Sequence, residues 1–427
     1  MIVRKIVILM LFITVGMSAQ KNSTSAYSFF GIGNSNVKRT AEQLSMGGVG
    51  VAMKDYYRLN FSNPAAYSSL NLTTFSLALQ NKNMIVNDGV NKETAAATSL
   101  SYFALGVPLG PKGGFVFGLL PSSTVGYSLR SDIYDTEGSL KNVTYYNGSG
   151  GVNNMFFGAG YEVLKGFSVG FQGNYYFGNI ENSILKQVDD VSLATKYETA
   201  VKIEGFSGNV GFQFETPVSE SLYMTAGGNF ELENTTSTRE KEYLYSLSVG
   251  SFEIPKDTIL NMSTKGQVFA PLKSTIGVGI GQKEKWFATA EYAFQKPFDY
   301  QESVYGKNPD VKNGNYTKFA IGGNYTPKSN SITSYWERVT YRVGLKKENT
   351  GLLLDLSGTQ SNFTEIEDFG ISFGVGLPVS DQFSSFNIGL EIGQKGDDIN
   401  GLVKENYFNL RVSLSLTDKW FRKVEIF

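Results

Sequence analysis

From residue 72 onward the sequence alternates apolar and polar residues again and again with a period of two, and it never settles into a sustained apolar run. Near the C-terminus Phe408, Leu410, Val412, Leu414 and Leu416 share one face, while Tyr407, Asn409, Arg411, Ser413 and Ser415 share the other. Successive side chains of a β-strand point to opposite faces, so this is the pattern of a strand with one oily and one wet side. The same alternation occurs in Phe369-Ile371-Phe373-Val375-Leu377, in Phe386-Ile388-Leu390-Ile392, in Phe167-Val169-Phe171 and in Ile276-Val278-Ile280. Downstream of the first twenty residues nothing approaches ~18 consecutive apolar residues, which excludes a helical membrane protein. The mean hydropathy of −0.15 does not exclude a transmembrane β-barrel, because lumen-facing residues dilute the lipid-facing ones.

Fourteen candidate strands follow, at about 72–80, 96–109, 115–130, 152–164, 167–179, 200–216, 221–233, 267–283, 286–296, 315–326, 338–347, 363–378, 384–394 and 403–416. Short connections at 110–114, 165–166, 217–220, 283–285, 327–337 and 378–382 alternate with longer polar ones at 81–95, 131–151, 180–199, 234–266, 297–314, 348–362 and 395–402. That parity suits an all-β, antiparallel transmembrane barrel of the Gram-negative outer membrane, with short periplasmic turns, long extracellular loops and both termini in the periplasm. A soluble propeller or sandwich would have no reason for such alternation, and the cyclic repeat of a propeller is missing.

The 427 residues include no His and no Cys. This removes imidazole-based triads, disulfides, Cys/His zinc sites and haem or iron–sulfur ligation, so the expectation is no enzyme, no catalytic residues, no metal and no cofactor. With 38 basic against 39 acidic residues, there is no positive surplus for nucleic acid. Asp189-Asp190, Glu365-Glu367-Asp368 and Asp397-Asp398 fall in or beside outer loops and read as solvated charge or a weak divalent-ion contact.

Arg4-Lys5, the apolar run Ile6 to Gly16 and then Ser18-Ala19-Gln20 have the order of a secretory signal peptide, so residues 1–20 are expected to be removed. Residues 21–71 do not alternate. They carry the helix-start pattern Thr40-Ala41-Glu42-Gln43, the run Met46-Gly47-Gly48-Val49-Gly50-Val51-Ala52, and Ser62-Asn63-Pro64-Ala65-Ala66-Tyr67. Lumen-facing positions of the strands are often glycine, as at Gly158, Gly160, Gly170, Gly211, Gly227, Gly277, Gly279, Gly281, Gly344, Gly374 and Gly376. Such glycines either ease the curvature of the wall or leave room for an occupant. Inward charges of both signs, Glu162, Glu291 and Glu391 with Arg342, Lys346 and Arg411, suit wall cross-links or a grip on an internal segment better than the single-sign ring of an ion-selective pore. Residues 21–71 are therefore expected to form a plug in the lumen of a barrel spanning 72–427.

The Gly47-Gly48-Val49-Gly50-Val51-Ala52 run followed by Asn63-Pro64-Ala65-Ala66 resembles the N-terminal hatch of the FadL/TodX family of long-chain fatty acid and hydrocarbon transporters. The stretch from Gly401 to Phe408 and on to Asp418-Lys419-Trp420-Phe421 resembles that family's closing strand, and the strand count agrees. The resemblance implies a hatch that shuts the pore and a third strand kinked inward to leave a lateral exit. Pro121, followed by Ser122 and Ser123, either makes that kink or ends the strand early. It further implies passive uptake of small hydrophobic molecules such as long-chain fatty acids, with outer-membrane lipid around the wall. The alternative is a structural or cargo-binding barrel in a larger complex with other outer-membrane proteins, such as type IX secretion. The tail Trp420 to Phe427 would then be a docking strand in place of an aromatic anchor.

Overall fold

The computed structural model describes residues 25–249, 253–306, 308–357, 360–379, 383–399 and 401–418. The expected signal peptide and the tail beyond Asp418 lie outside the described residues. Sixteen long strands follow in chain order: β1 Thr73–Asn87, β2 Lys92–Pro108, β3 Gly113–Tyr134, β4 Leu140–Leu164, β5 Phe167–Val188, β6 Ala194–Pro217, β7 Leu222–Glu231, β8 Asn234–Val249, β9 Glu253–Ala270, β10 Lys273–Gln282, β11 Trp286–Gln295, β12 Tyr316–Tyr325, β13 Thr340–Leu354, β14 Thr364–Pro378, β15 Ser385–Lys395 and β16 Lys404–Asp418.

Fourteen of them, β1–β7 and β10–β16, close an antiparallel barrel in which the last strand pairs with the first, Lys404 opposite Asn87 and Asp418 opposite Thr73. Closure removes the outer edges of the wall except where β2 and β3 part above the Phe103–Leu119 pair, and a closed sheet is what can sit in lipid. The alternation sorts as expected in β16: Asn409, Arg411, Ser413 and Ser415 are buried inside, while Phe408 and Leu416 are exposed outside. Phe157, Phe171 and Phe206 also stand on the outer face.

The segments expected to be long loops are largely strand. β1 and β2 run on to a turn at 88–91, β3 and β4 to 135–139, and β5 and β6 to 189–193. Residues 234–266, expected to be loop, fold mostly as the hairpin of β8 and β9. The hairpin joins the wall above β7: β6 pairs with β7 over 209–217 but with β8 over 194–204. Thus β3–β6 are 22, 25, 22 and 24 residues long, whereas β7, β10, β11 and β12 have ten each.

Ahead of β1 the chain passes once through the lumen. Ser25 and Tyr27 lie at the long-loop end, where the Ser25 hydroxyl reaches Glu405 at 2.8 Å and the Tyr27 hydroxyl donates to the Val403 carbonyl at 2.5 Å. Tyr56 and Tyr57 lie at the other end, beneath Lys283 and against Phe383. Between them along the chain is the short helix α1, Ala41–Leu44, and after Tyr57 comes a 3-10 helix, Pro64–Ser69. The two chain ends, expected at the short-turn end, lie outside the described residues; of the described residues, Asp418 is at that end, paired with Thr73, and Ser25 is at the opposite one.

Candidate functional site

The N-terminal segment holds its own shape through caps. Thr40 and Gln43 form a reciprocal capping box at α1, and the Asn63 side chain accepts from the Ala65 N–H to start the 3-10 helix at Pro64. Asn63 also donates to the carbonyls of Val51 and of wall residue Phe212, both at 2.8 Å. Its apolar side chains, Ala41, Leu59, Phe61, Tyr67 and Leu70, pack on Ala78, Tyr102, Ala104, Val116, Leu120 and Phe156 of β1–β4.

Most of the inward glycines stand where this segment touches the wall. A Cβ on Gly170 would lie 2.3 Å from the Pro64 carbonyl carbon, one on Gly227 2.2 Å from the Val51 carbonyl oxygen, and one on Gly344 2.0 Å from the Met46 carbonyl carbon. Gly158, Gly160, Gly211, Gly277 and Gly374 meet Tyr67, Pro64, Asn63, Val51 and Ser45 in the same way. The occupant that these eight glycines accommodate is thus the chain's own first segment, whereas Gly279 and Gly281 lie against Phe287 and Gly376 against Arg342, all of the wall. Gly47 approaches the Leu345 backbone with φ +73 and Gly48 has φ +76, so both need glycine for their conformation as well as for space. Gly50 lies under the Gln43 and Ser62 side chains.

The six inward charges listed from sequence all face the interior, and the structure supplies their partners. Both Glu291 oxygens are engaged: one receives the Gly50 and Val51 N–H groups at 2.9 Å, and the other receives Arg39 at 2.6 Å. Lys346 pairs with Asp368 at 3.2 Å and with Glu391 at 2.9 Å, and Arg411 pairs with Glu391. Arg342 donates to Asn387 at 3.1 Å, whose amide in turn holds Glu42 of α1 at 2.8 Å. Glu162 is at the short-turn end, 3.9 Å from Lys54. Sequence reasoning missed Lys38 and Arg39, although an adjacent basic pair in a small-residue segment is a signal. Lys38 binds Glu231 at 2.6 Å and Tyr176 at 2.8 Å. Burial alone would lower its ammonium, but Glu231 and the Tyr176 hydroxyl outweigh that and hold it above the ordinary lysine range.

Pro121 does not end its strand, because β3 continues to Tyr134. Ser122 bulges between the pairs Pro121–Asn153 and Ser123–Val152, and Ser101 bulges on β2 between the pairs of Ala78 and Leu79. Pairing of β2 with β3 runs from Pro108–Gly114 to Phe103–Leu119 and stops there. Above that level the two strands part, and the two-residue strand Asn34–Ser35 takes the vacated edge of β3, opposite Thr124 and Ser123. The Asn36 N–H donates to the Ser122 carbonyl at 2.8 Å and the Ser123 hydroxyl to the Ile32 carbonyl at 2.7 Å. Behind this seam lies a cavity of about 420 Å³, reaching from Ser101 and Pro121–Ser123 across to Glu231, Lys318, Glu391 and Arg411.

A family model described as BamG matches residues 1–426. Among solved structures, the fold is similar to the Ralstonia pickettii toluene transporter TbuX (13% identity, 90% of this chain and 99% of that chain, TM-score 0.57). It is similar also to a Pseudomonas aeruginosa FadL homologue (11%, 90% and 99%, TM-score 0.58) and to the CymD monoaromatic hydrocarbon channel (13%, 92% and 100%, TM-score 0.56). Comparison with curated protein sequences gives no match.

Proposed function

Because the chain belongs to the BamG family, we propose that it is a barrel of the Gram-negative outer membrane that binds partner proteins and braces a larger outer-membrane assembly, on a scaffold shared with hydrocarbon channels. The observation that carries this reading is the state of the lumen. The N-terminal segment is seated wall to wall against backbone-tight glycines, and the space left above it is lined by ion pairs set among apolar residues such as Phe30, Leu120, Val152 and Phe298. A route for an apolar solute draws its affinity from apolar burial, at ~25 cal/mol per Å². The buried ion pairs in this lining subtract from it, because an apolar solute beside them strips charges of solvation without giving hydrogen bonds. The tall side of the wall, β3–β6 with the β8–β9 hairpin, offers instead a broad rigid surface beyond the bilayer. On this reading residues 1–20 are a signal peptide, the short turns are periplasmic, lipid covers the outward aromatic side chains, and residues 21–71 act as a permanent hatch.

The test is gentle extraction of the tagged full-length protein, with mass spectrometry of what accompanies it. The expected result is recovery of another outer-membrane protein in a fixed ratio. Recovery as a lone monomer would sink the reading.

A second reading, passive uptake of small hydrophobic molecules such as long-chain fatty acids, is supported by the parting of β2 from β3 above Pro121 and by the channel fold. It requires proteoliposomes to take up fatty acid faster than empty vesicles, and Pro121→Ala to slow that uptake. Equal rates in all three would remove it.

A further inference from the structure

The tall side of the wall ends, above the ten-residue strands, in an edge that the chain leaves open. β9 pairs with β8 along its whole length, from Glu253 to Ala270. On its other side only the three-residue strand Asp299–Gln301 pairs with it, at Gln267, Val268 and Phe269. From Glu253 to Lys265 that side has no strand partner among the described residues. The row begun by Asp299–Gln301 breaks off at Glu302, whose φ of +55 is uncommon for a residue other than glycine. The chain then leaves β9, and the Ser303 hydroxyl donates to Glu240 at 2.6 Å. The opposite edge of the tall sheet, on β3, is covered at its root by the N-terminal segment: the Gly126 N–H donates to the Ser28 hydroxyl at 3.3 Å, and Phe29 packs edge-on against Tyr127.

A bare edge is a template for another chain, and proteins guard such edges with proline, bulges and charge. The guards of β9 stand near its tip: Pro255, Asp257 and the bulges at Lys256 and Ile259. From Leu260 to Thr264 the register with β8 is regular, and no residue is charged or proline. Over this stretch Leu260, Met262 and Thr264 continue the face that buries Gly266 and Val268 lower down, while Asn261 and Ser263 stand on the other. Met262 is 40% exposed, so its apolar side chain is left half uncovered beside the open edge.

We propose that the Leu260–Lys265 edge of β9 is where a different outer-membrane protein adds a strand of its own. The added segment is extended, with apolar residues beside Leu260 and Met262 and polar ones beside Asn261 and Ser263. This docking mode rests on the reading of the barrel as a subunit of a larger assembly. The open backbone groups supply the affinity, and the apolar face fixes the register. The β9 of a second copy does not fit. Two copies related by a twofold axis along the membrane normal would both have β9 descending, and the strands would cross at about 70–90°, twice the strand tilt. Neighbouring strands of a sheet are rotated by only about 20–25°.

The experiment is hydrogen–deuterium exchange over residues 260–265 of the tagged full-length protein, compared between the gently extracted assembly and the same barrel freed of its partner. In the barrel alone about half of these amides should exchange fast, because alternate N–H groups of β9 point away from β8. In the assembly those amides are expected to slow at least ~tenfold. Met262→Lys sets a charge where the added strand would lay an apolar residue, and should cut recovery of the accompanying protein about tenfold, whereas Met262→Leu should keep it. Heat-modifiable gel mobility checks that each variant is a closed barrel; if Met262→Lys is not, the exchange comparison on the native protein decides. An accompanying protein recovered with these amides still fast, or retained in full by Met262→Lys, overturns the proposal and leaves the assembly reading standing. A second copy of this chain as the accompanying protein overturns it too. Recovery as a lone monomer overturns the assembly reading and this docking mode together.

Discussion

At Glu291 one carboxylate does the work of several contacts, receiving two backbone N–H groups of the N-terminal segment and the Arg39 guanidinium. Glu291→Gln keeps an acceptor but leaves Arg39 without its buried counter-charge, and breaking such a pair costs about 3 kcal/mol. Amide exchange at Gly50 and Val51 is therefore expected to quicken about a hundredfold, since each factor of ten corresponds to about 1.4 kcal/mol. Unchanged exchange would mean the segment is held elsewhere. Gly170 makes the steric counterpart: a Cβ there meets backbone of Pro64 and Ala65, so Gly170→Ala should lower stability to denaturant by about 1–3 kcal/mol. Gly173→Ala, whose Cβ meets only the Phe157 ring at 3.0 Å, should cost less. The sequence marked both the glycines and the charges as inward, because strand alternation assigns a face to every residue. It could not pair them, because partners such as Arg39 and Glu291 are 252 positions apart and meet only once the barrel has closed.

Among the elements, the short strand Asn34–Ser35 is the one that alters the wall, since it occupies an edge of β3 that would otherwise be bare at the seam. Its approach depends on Gly33, which has φ +88 and whose Cβ would fall 2.6 Å from the Thr124 carbonyl oxygen. In a Gly33→Ala background the strand is expected to lift from β3. A single cysteine placed by Ser35→Cys, in a chain with no native Cys, should then react with maleimide several-fold faster than in the parent. Equal rates would show that the strand holds without Gly33. Nothing in sequence marks two residues as a strand, and the seam was legible only through Pro121, which lacks a ladder donor. The lower halves of the strands were legible because lipid and lumen impose strict alternation. Their upper halves were not: in Glu253–Thr264 both faces are largely exposed, so polar residues stand on each side and the stretch reads as loop.

The whole molecule is lopsided. At ~3.3 Å per residue and a tilt near 45°, the ten-residue strands β7, β10, β11 and β12 rise about 23 Å, close to the ~25 Å apolar band of an outer-membrane barrel. The 22- to 25-residue strands β3–β6 rise roughly twice that. Because β7 pairs directly with β10 from Leu222–Gln282 to Glu231–Lys273, the β8–β9 hairpin can be cut out at residues 235–268 and bridged by two glycines without breaking the barrel. That variant should keep heat-modifiable mobility yet lose most of the accompanying protein in the pull-down; full retention would move the docking surface elsewhere. The lumenal course of the first segment has a consequence for assembly order. Ser25 contacts Glu405 across 380 positions, so the segment's upper contact joins residues that the whole length of the wall separates. The segment is therefore a clasp: it ties the first described residues to the last strand, and its upper end has nothing to hold until that strand is in place.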